Sequence, residues 1–350
     1  MTVLYFGIYN PNYSRNRVLL SGLKKNNVDV LECNEPYRSW FSYFKLLARF
    51  FWVKKNFDVM IVGFPGQEVM LLARMLTNRP IVFDTFTSHY GGYVLDRRKY
   101  GKRSLRARWY RWLDRKSVNL SDISLLDTQA HIGFFTKELG LSQKKFKKIF
   151  VGTDSGVFYP RETKRTTDKF LVHFHGHFIP LQGTRYIIEA AKLLENEGVV
   201  FNIIGKGQDY CDGRDLARVL DLNNVNFIDN VHYDRLPEYI SGADISLGIF
   251  GDTTKAEIVI PNKVYEAIAC AKPVITADTS AIRELFKDGE DVLLCKKADP
   301  KDLANKIRLL KNNSELRHRI GQNGYRLFRE SLTENHLGAQ LKQIINENIT

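Results

Sequence analysis

Short apolar runs alternate with helical stretches along the whole chain. VLYFGIY at 3, DVMIVGF at 58, PIVFDTF at 80, DISLLDT at 122 and KIFVG at 148 read as buried strands, and the segments between them carry helical periodicity. Near-continuous apolar strands separated by helices predict parallel βαβ units covered on both faces. The pattern restarts beyond the polar stretch TKRTTD, residues 163–168, with LVHFHG at 171, VVFNIIG at 199, VNFID at 225, DISLGIF at 244, PVITAD at 273 and DVLLC at 291. A second doubly wound sheet is predicted there. After Pro300 the pattern is helical only, and the last helix, HLGAQLKQIINEN, is free to pack away from its own sheet and onto the first domain. The expected fold class is therefore α/β, with two doubly wound Rossmann-like domains facing a cleft. The expected division is 1–165, 166–335 and a C-terminal helix, 336–350. Ligands of such sheets bind beyond the carboxyl ends of the strands, so function is expected on strand-to-helix loops.

Composition narrows the class. At 350 residues, with 44% apolar and 26% charged residues, the chain is long for one core and has nothing of a disordered or fibrous composition. The net charge of +13 is uneven: residues 1–150 carry 26 Lys/Arg against 11 Asp/Glu, and residues 151–350 carry 26 against 28. All the excess lies in the first half, which implies an anionic surface as its partner. Cys33, Cys211, Cys270 and Cys295 are far apart without CxxC spacing, the usage of a reduced, cytosolic protein. MTVLYFGIY opens as a strand rather than a signal peptide, and WFSYFKLLARFFWVKK is interrupted by Lys45 and Arg49 too early for a membrane span.

The chemistry concentrates in the second half. In IPNKVYEAIACAKPVIT, residues 260–276, Lys263 and Glu266 are spaced to share one helix face just before a hydrophobic strand. Such a pair is either a surface ion pair worth a few tenths of a kcal/mol or part of a ligand site. In GHFIPLQGTRYIIEAAKLL, Gly176 ends a strand and Gly183 opens a helix, whose N-terminal N–H groups suit a phosphate. IIGKGQD, with Gly205 and Lys206, is a weak dinucleotide signal, lacking the third glycine of an NAD site.

The order of these motifs, G-x-x-x-P-x-x-G, G-x-G and then PNKxxEAxAxxxPVI, resembles glycosyltransferase family 4, enzymes of the GT-B fold that use nucleotide-sugar donors. The resemblance covers the chain from about Phe170 onward, and KKIFVGTDSGVFYP, with Gly152, Asp154, Phe158 and Pro160, is similar to the family's linker strand. It implies that Glu266 holds the donor ribose hydroxyls, since a carboxylate only accepts. Lys263, with Asn262 beside it, would then face the diphosphate. Where the family presents an arginine and a lysine for the diphosphate, this chain has His177 and Gln182. Lys263, Lys206 and Arg185 are the available substitutes. Where the family has a sugar-binding glutamate the residue is Ile258, with Glu257 adjacent. In the first half, YNPNYSRN replaces the relatives' glycine loop; Asn10 and Asn12 suit its turn, and Arg15 or Arg17 supplies charge. His89, near the place of a family histidine beside the reacting sugar, and Asp84, at a strand end, are the candidate catalytic residues. A retaining transfer needs no protein nucleophile, because the leaving diphosphate can take the acceptor's proton.

The excess charge has its own pattern. LDRRKYGKRSLRARWYRWLDRKS, residues 95–117, interleaves Arg97, Arg98, Arg103 and Arg106 with Tyr100, Trp109, Tyr110 and Trp112. YRSWFSYFKLLARFFWVKK adds Trp40, Phe41, Phe44, Phe51 and Trp52, with Lys45 and Arg49 read as the opposite face. Aromatics among cations are the composition of segments lying at a membrane interface. Single-stranded nucleic acid offers the same chemistry, but no nucleic-acid module signature is present. The expectation is a cytoplasmic enzyme, peripheral on the inner face of the membrane. It would transfer sugar from a nucleotide diphosphate donor to a lipid-linked or glycan acceptor, without metal or cofactor and without nucleic acid. A nucleotide-sugar epimerase and a non-catalytic scaffold of the same fold are the alternatives.

Overall fold

A computed structural model describes residues 1–36, 39–53, 56–163 and 167–349. Half of the expected polar linker, residues 164–166, and the ends of the segment YRSWFSYFKLLARFFWVKK thus lie outside the described residues. The chain forms two compact units, Met1–Asp154 with Leu332–Thr350, and Ser155–Ser331. The first unit is discontinuous in sequence, leaving at Asp154 and returning at Leu332.

The first unit is built on six parallel strands: β1 (Thr2–Gly7), β2 (Asp29–Asn34), β3 (Val59–Val62), β4 (Ile81–Asp84), β5 (Ile123–Leu126) and β6 (Phe146–Lys148), in the order β2-β1-β3-β4-β5-β6. The central strands are buried on both faces, as their unbroken apolar runs require. β2 is absent from the strands expected from sequence. DVLECN lies at the sheet edge, is half-buried along most of its length and carries acids and an amide, so it has no apolar run to find. The strand expected from 148 lies earlier, ending at Lys148.

The helix Ser14–Lys25 follows β1, and the C-terminal helix Glu334–Ile349 packs along it. The two touch backbone to backbone where Gly22 meets Gly338: a Cβ on Gly338 would lie 2.2 Å from the Gly22 carbonyl oxygen, a contact only two glycines allow. Leu337, Leu341 and Ile345 bury fully here, each contributing about 1.5–3 kcal/mol of apolar burial. Glu334 is buried at the start of that helix and accepts from Lys25.

The second unit holds β7 (Phe170–His175), β8 (Val199–Ile204), β9 (Val225–Ile228), β10 (Ile245–Leu247), β11 (Val274–Ala277) and β12 (Leu293–Cys295), all parallel, in the order β12-β11-β10-β7-β8-β9. The chain runs outward from β7 to β9 and then crosses back to β10 on the other side of β7. Strand order therefore reverses between β7 and β10, and the crevice beyond their carboxyl ends is where ligands of such sheets bind.

Candidate functional site

Three loops and one helix form the edge of the second sheet at that reversal. Gly205, just after β8, has φ +131°, and a Cβ there would sit 2.0 Å from the Gly176 carbonyl oxygen. Gly183 ends the turn Pro180–Gln182 in the left-handed region at φ +65° and begins the helix Thr184–Leu193. A Cβ on Gly183 would press on the backbone of Phe250 and Gly251 after β10. These glycines let three loop backbones pack on one another. That close packing holds the loops at the strand ends in one arrangement.

Into this edge comes the helix Asn262–Ala269, whose positions 263 to 269 are all buried. Its Lys263 and Glu266 share one face, directed at the end of β7. Glu266 Oε2 lies 2.7 Å from His175 Nε2, and His175 Nδ1 lies 2.9 Å from His173 Nε2. The two histidines alternate on one face of β7, as strand geometry requires. Glu266 Oε1 has no protein partner among the described residues. His173 is fully buried, and among the described residues its Nδ1 has no hydrogen-bond partner. Burial, with His175 and Lys263 adding to it, holds the His173 imidazole well below its ordinary range, so it is neutral.

Lys263 is buried as well. Its ammonium nitrogen donates to Gln182 Oε1 and lies 3.6 Å from the centroid of the Phe174 ring. Burial drives its pKa well below the ordinary lysine value, opposed by the Glu266 charge. The lysine thus reaches the position of Gln182 from another element. Asn262 is half-buried at the first position of the helix, and His177 is exposed. Lys206 is exposed and paired with Asp229, and Arg185 is turned outward to Glu189. Glu257 is committed to its own surroundings, accepting from the Ser280 N–H and hydroxyl and from Lys297; burial raises its pKa, and these partners more than offset it.

In the first unit, Arg15 is not a surface cation. It is fully buried, bonding Asp84 through Nε and a terminal nitrogen at 3.0–3.2 Å and the carbonyls of Ile149 and Phe150 at 3.0 and 2.9 Å. Burial alone would lower the Arg15 pKa, but Asp84 raises it above its ordinary value. Asp84 is held in that pair, which ties the helix after β1 to the ends of β4 and β6. Asn10 builds its own turn, its side chain accepting from the Asn12 N–H at 2.9 Å, and Arg17 reaches Asp154 and Asn12. His89 stands at the carboxyl edge of the first sheet, Nε2 3.0 Å from Glu68, with Tyr93 and Tyr110 against its ring. Its backbone N–H donates to Asp114, a buried carboxylate that also takes the Ser88 hydroxyl and the Tyr90 N–H. A second buried dyad, His131 Nδ1 to Asp127 at 2.7 Å, lies just after β5.

Comparison with known proteins bears directly on the second unit. Residues 158–327 match the family model of glycosyl transferases group 1. The matched span is nearly the whole of that unit and contains His175, Gln182, Lys263 and Glu266. The chain is 28% identical over 158 residues to an uncharacterized glycosyltransferase of Methanocaldococcus jannaschii, covering 43% of this chain and 41% of that protein. It is 24% identical to the capsular polysaccharide biosynthesis glycosyltransferase CapM of Staphylococcus aureus, over 61% of this chain and 54% of that one. It thus spans between two fifths and three fifths of the length of these curated relatives. Among solved structures, HepE of Anabaena in complex with UDP-glucose superposes with a TM-score of 0.74 at 16% identity, covering 99% of this chain and 100% of that one. The fold is GT-B, two doubly wound α/β domains in tandem.

Outside the group 1 segment, the expected aromatic and basic residues are at the surface of the first unit. The helix Phe41–Val53 buries only Ser42, Leu46 and Phe50; Trp40, Phe41, Phe44 and Phe51 are exposed, and Trp52 is 93% exposed. Lys45 and Arg49 do not form an opposite face: with so narrow a buried stripe they stand among the exposed aromatics. The helix Leu105–Leu120, capped by Ser104, exposes Leu105, Trp109 and Trp112, the two indoles stacked at 4.9 Å. Arg98, Arg103 and Arg106 are exposed nearby, while Arg97 and Arg106 cover the rings of Tyr93 and Tyr100. Sequence reading passed over His173, His175 and Asp114. The pattern H-x-H directly before Gly176 was the available signal for the first two, whereas Asp114 is hidden inside a run of cations.

Proposed function

We propose that the chain is a family 4 glycosyltransferase that moves a sugar, with retention, from a nucleotide diphosphate donor to a membrane-held, lipid-linked glycan acceptor in polysaccharide synthesis. The observation that carries the reading is the Glu266 carboxylate: within a segment matching glycosyl transferases group 1, it stands at the strand-order reversal with one oxygen unpartnered. An acceptor-only group there suits the two ribose hydroxyls. Lys263, one turn earlier on the same helix and reaching Gln182, places there an amine that a bound diphosphate would charge, where His177 and Gln182 bring no cation. HepE's complex with UDP-glucose and the polysaccharide role in CapM's name favour a UDP-sugar and a glycan acceptor.

In the reaction the bond between the anomeric carbon and the diphosphate oxygen breaks, and a bond from that carbon to the acceptor oxygen forms on the same face. The acceptor's proton passes to the leaving diphosphate. The protein's part is alignment and charge stabilisation. Exposed aromatics and cations on the first unit would hold it to an anionic cytoplasmic membrane surface, each cation near the surface adding about 1 kcal/mol.

A thermal-shift panel of UDP, GDP, ADP and CMP with wild type and Glu266→Ala tests the donor site. One nucleotide at 100 times its dissociation constant should stabilise the wild type by about 2.7 kcal/mol, and the variant much less. No shift from any nucleotide would leave a scaffold without donor chemistry.

A further inference from the structure

The contacts behind Glu266 are more elaborate than a buried carboxylate needs. A carboxylate reaching the sheet edge from a helix can rotate about its terminal torsion, and the ribose diol is a directional target. Here Oε2 is fixed by His175 at 2.7 Å, and His175 is fixed in turn by His173 at 2.9 Å, with all three side chains buried. The contacts fit one relay, in which His173 Nε2–H donates to His175 Nδ1 and His175 Nε2–H donates to Glu266 Oε2. That relay leaves His173 Nδ1 with no proton to place, and Nδ1 has no hydrogen-bond partner among the described residues. Lys263 lies on the same helix face as Glu266 but turns to Gln182, so the histidines alone brace the carboxylate from β7.

We propose that His175, held by His173, is a positioning residue that fixes the rotation of the Glu266 carboxylate so that Oε1 is presented to the donor ribose. This deepens the donor-site reading and rests on it. One oxygen is spent on the brace and the other is kept for ligand. A merely structural pair would affect every nucleotide alike, whereas a brace on the ribose-facing oxygen affects discrimination between a ribose and a deoxyribose.

The test is the ratio of dissociation constants for 2′-deoxy-UDP and UDP, and for the corresponding guanosine pair, measured by titration calorimetry on the full chain. Wild type should favour the ribonucleotide by about tenfold, the loss of one hydrogen bond to a charged group. Glu266→Ala should bring the ratio near one. His175→Phe should do the same, while His175→Gln, whose amide nitrogen can occupy the place of Nε2, should restore most of the preference. His175→Asn, whose shorter amide falls short of Glu266, covers the case in which His175→Phe does not fold, and should also bring the ratio near one. A wild-type ratio abolished by Glu266→Ala yet unchanged in His175→Phe or His175→Asn overturns the positioning role and leaves the donor site standing. A wild-type ratio near one, or no binding of either nucleotide pair, overturns the donor-site reading and the positioning role with it.

Discussion

Replacing Asp84 should unfold the first unit before it does anything to chemistry. Arg15 and Asp84 are both fully buried, and among the described residues Arg15 has no other charged partner within hydrogen-bond distance; its remaining bonds go to the Ile149 and Phe150 carbonyls. Asp84→Ala strands a guanidinium in the interior, a change that costs about 3–5 kcal/mol. For a unit of this size each kcal/mol moves the melting temperature by about 2–4 °C, so its transition should fall by roughly 6–20 °C. Differential scanning calorimetry of the full chain would follow it. The control is Arg15→Met with Asp84→Leu: removing both charges leaves none uncompensated and should recover more than half of the loss, a coupling that a double-mutant cycle reads directly. An Asp84→Ala protein melting within about 2 °C of wild type, or a double variant costing as much as the two single variants added, would refute this account.

Lys263 makes a prediction of opposite sign. Its folded-state pKa is depressed by burial, so between that value and the unfolded value near 10.4 only the unfolded chain holds the proton, and stability rises with pH. Wild type should therefore gain stability relative to Lys263→Met as pH climbs from 7 to 9, by at most about 1.4 kcal/mol per pH unit, measured by chemical denaturation at both pH values. If bound diphosphate recharges the amine, nucleotide binding by wild type should weaken over the same range while the weaker binding of Lys263→Met stays flat in calorimetric titrations. On the first unit, Trp52→Ser combined with Phe44→Ser should release the protein from vesicles containing phosphatidylglycerol in a flotation assay. High salt should have a similar effect, because the cations are exposed and screened; retention under both conditions would count against the surface.

The fold was readable because buried parallel strands are unbroken apolar runs; only DVLECN, half-buried at an edge, escaped. The site was readable in part. Lys263 and Glu266 stood out by spacing within one helix, a local property. Their partners, His173, His175 and Gln182, lie far away in sequence and meet them only through the order of the strands. The partner of Asp84 was hidden for the same reason: a strand-end acid gives no sign that Arg15 is brought against it. Whether a charge faces ligand or core is set by tertiary neighbours, and no periodicity encodes them.

The helix Glu334–Ile349 belongs to the unit that opens with β1, and the whole of the other unit lies between them in the chain. During synthesis that unit must wait, with the groove destined for Leu337, Leu341 and Ile345 still uncovered, while the whole of the other unit is translated. The second unit, continuous in sequence, can close first. A truncation ahead of Glu334 would therefore be felt some 300 residues away along the chain, in the Gly22 face left without its partner.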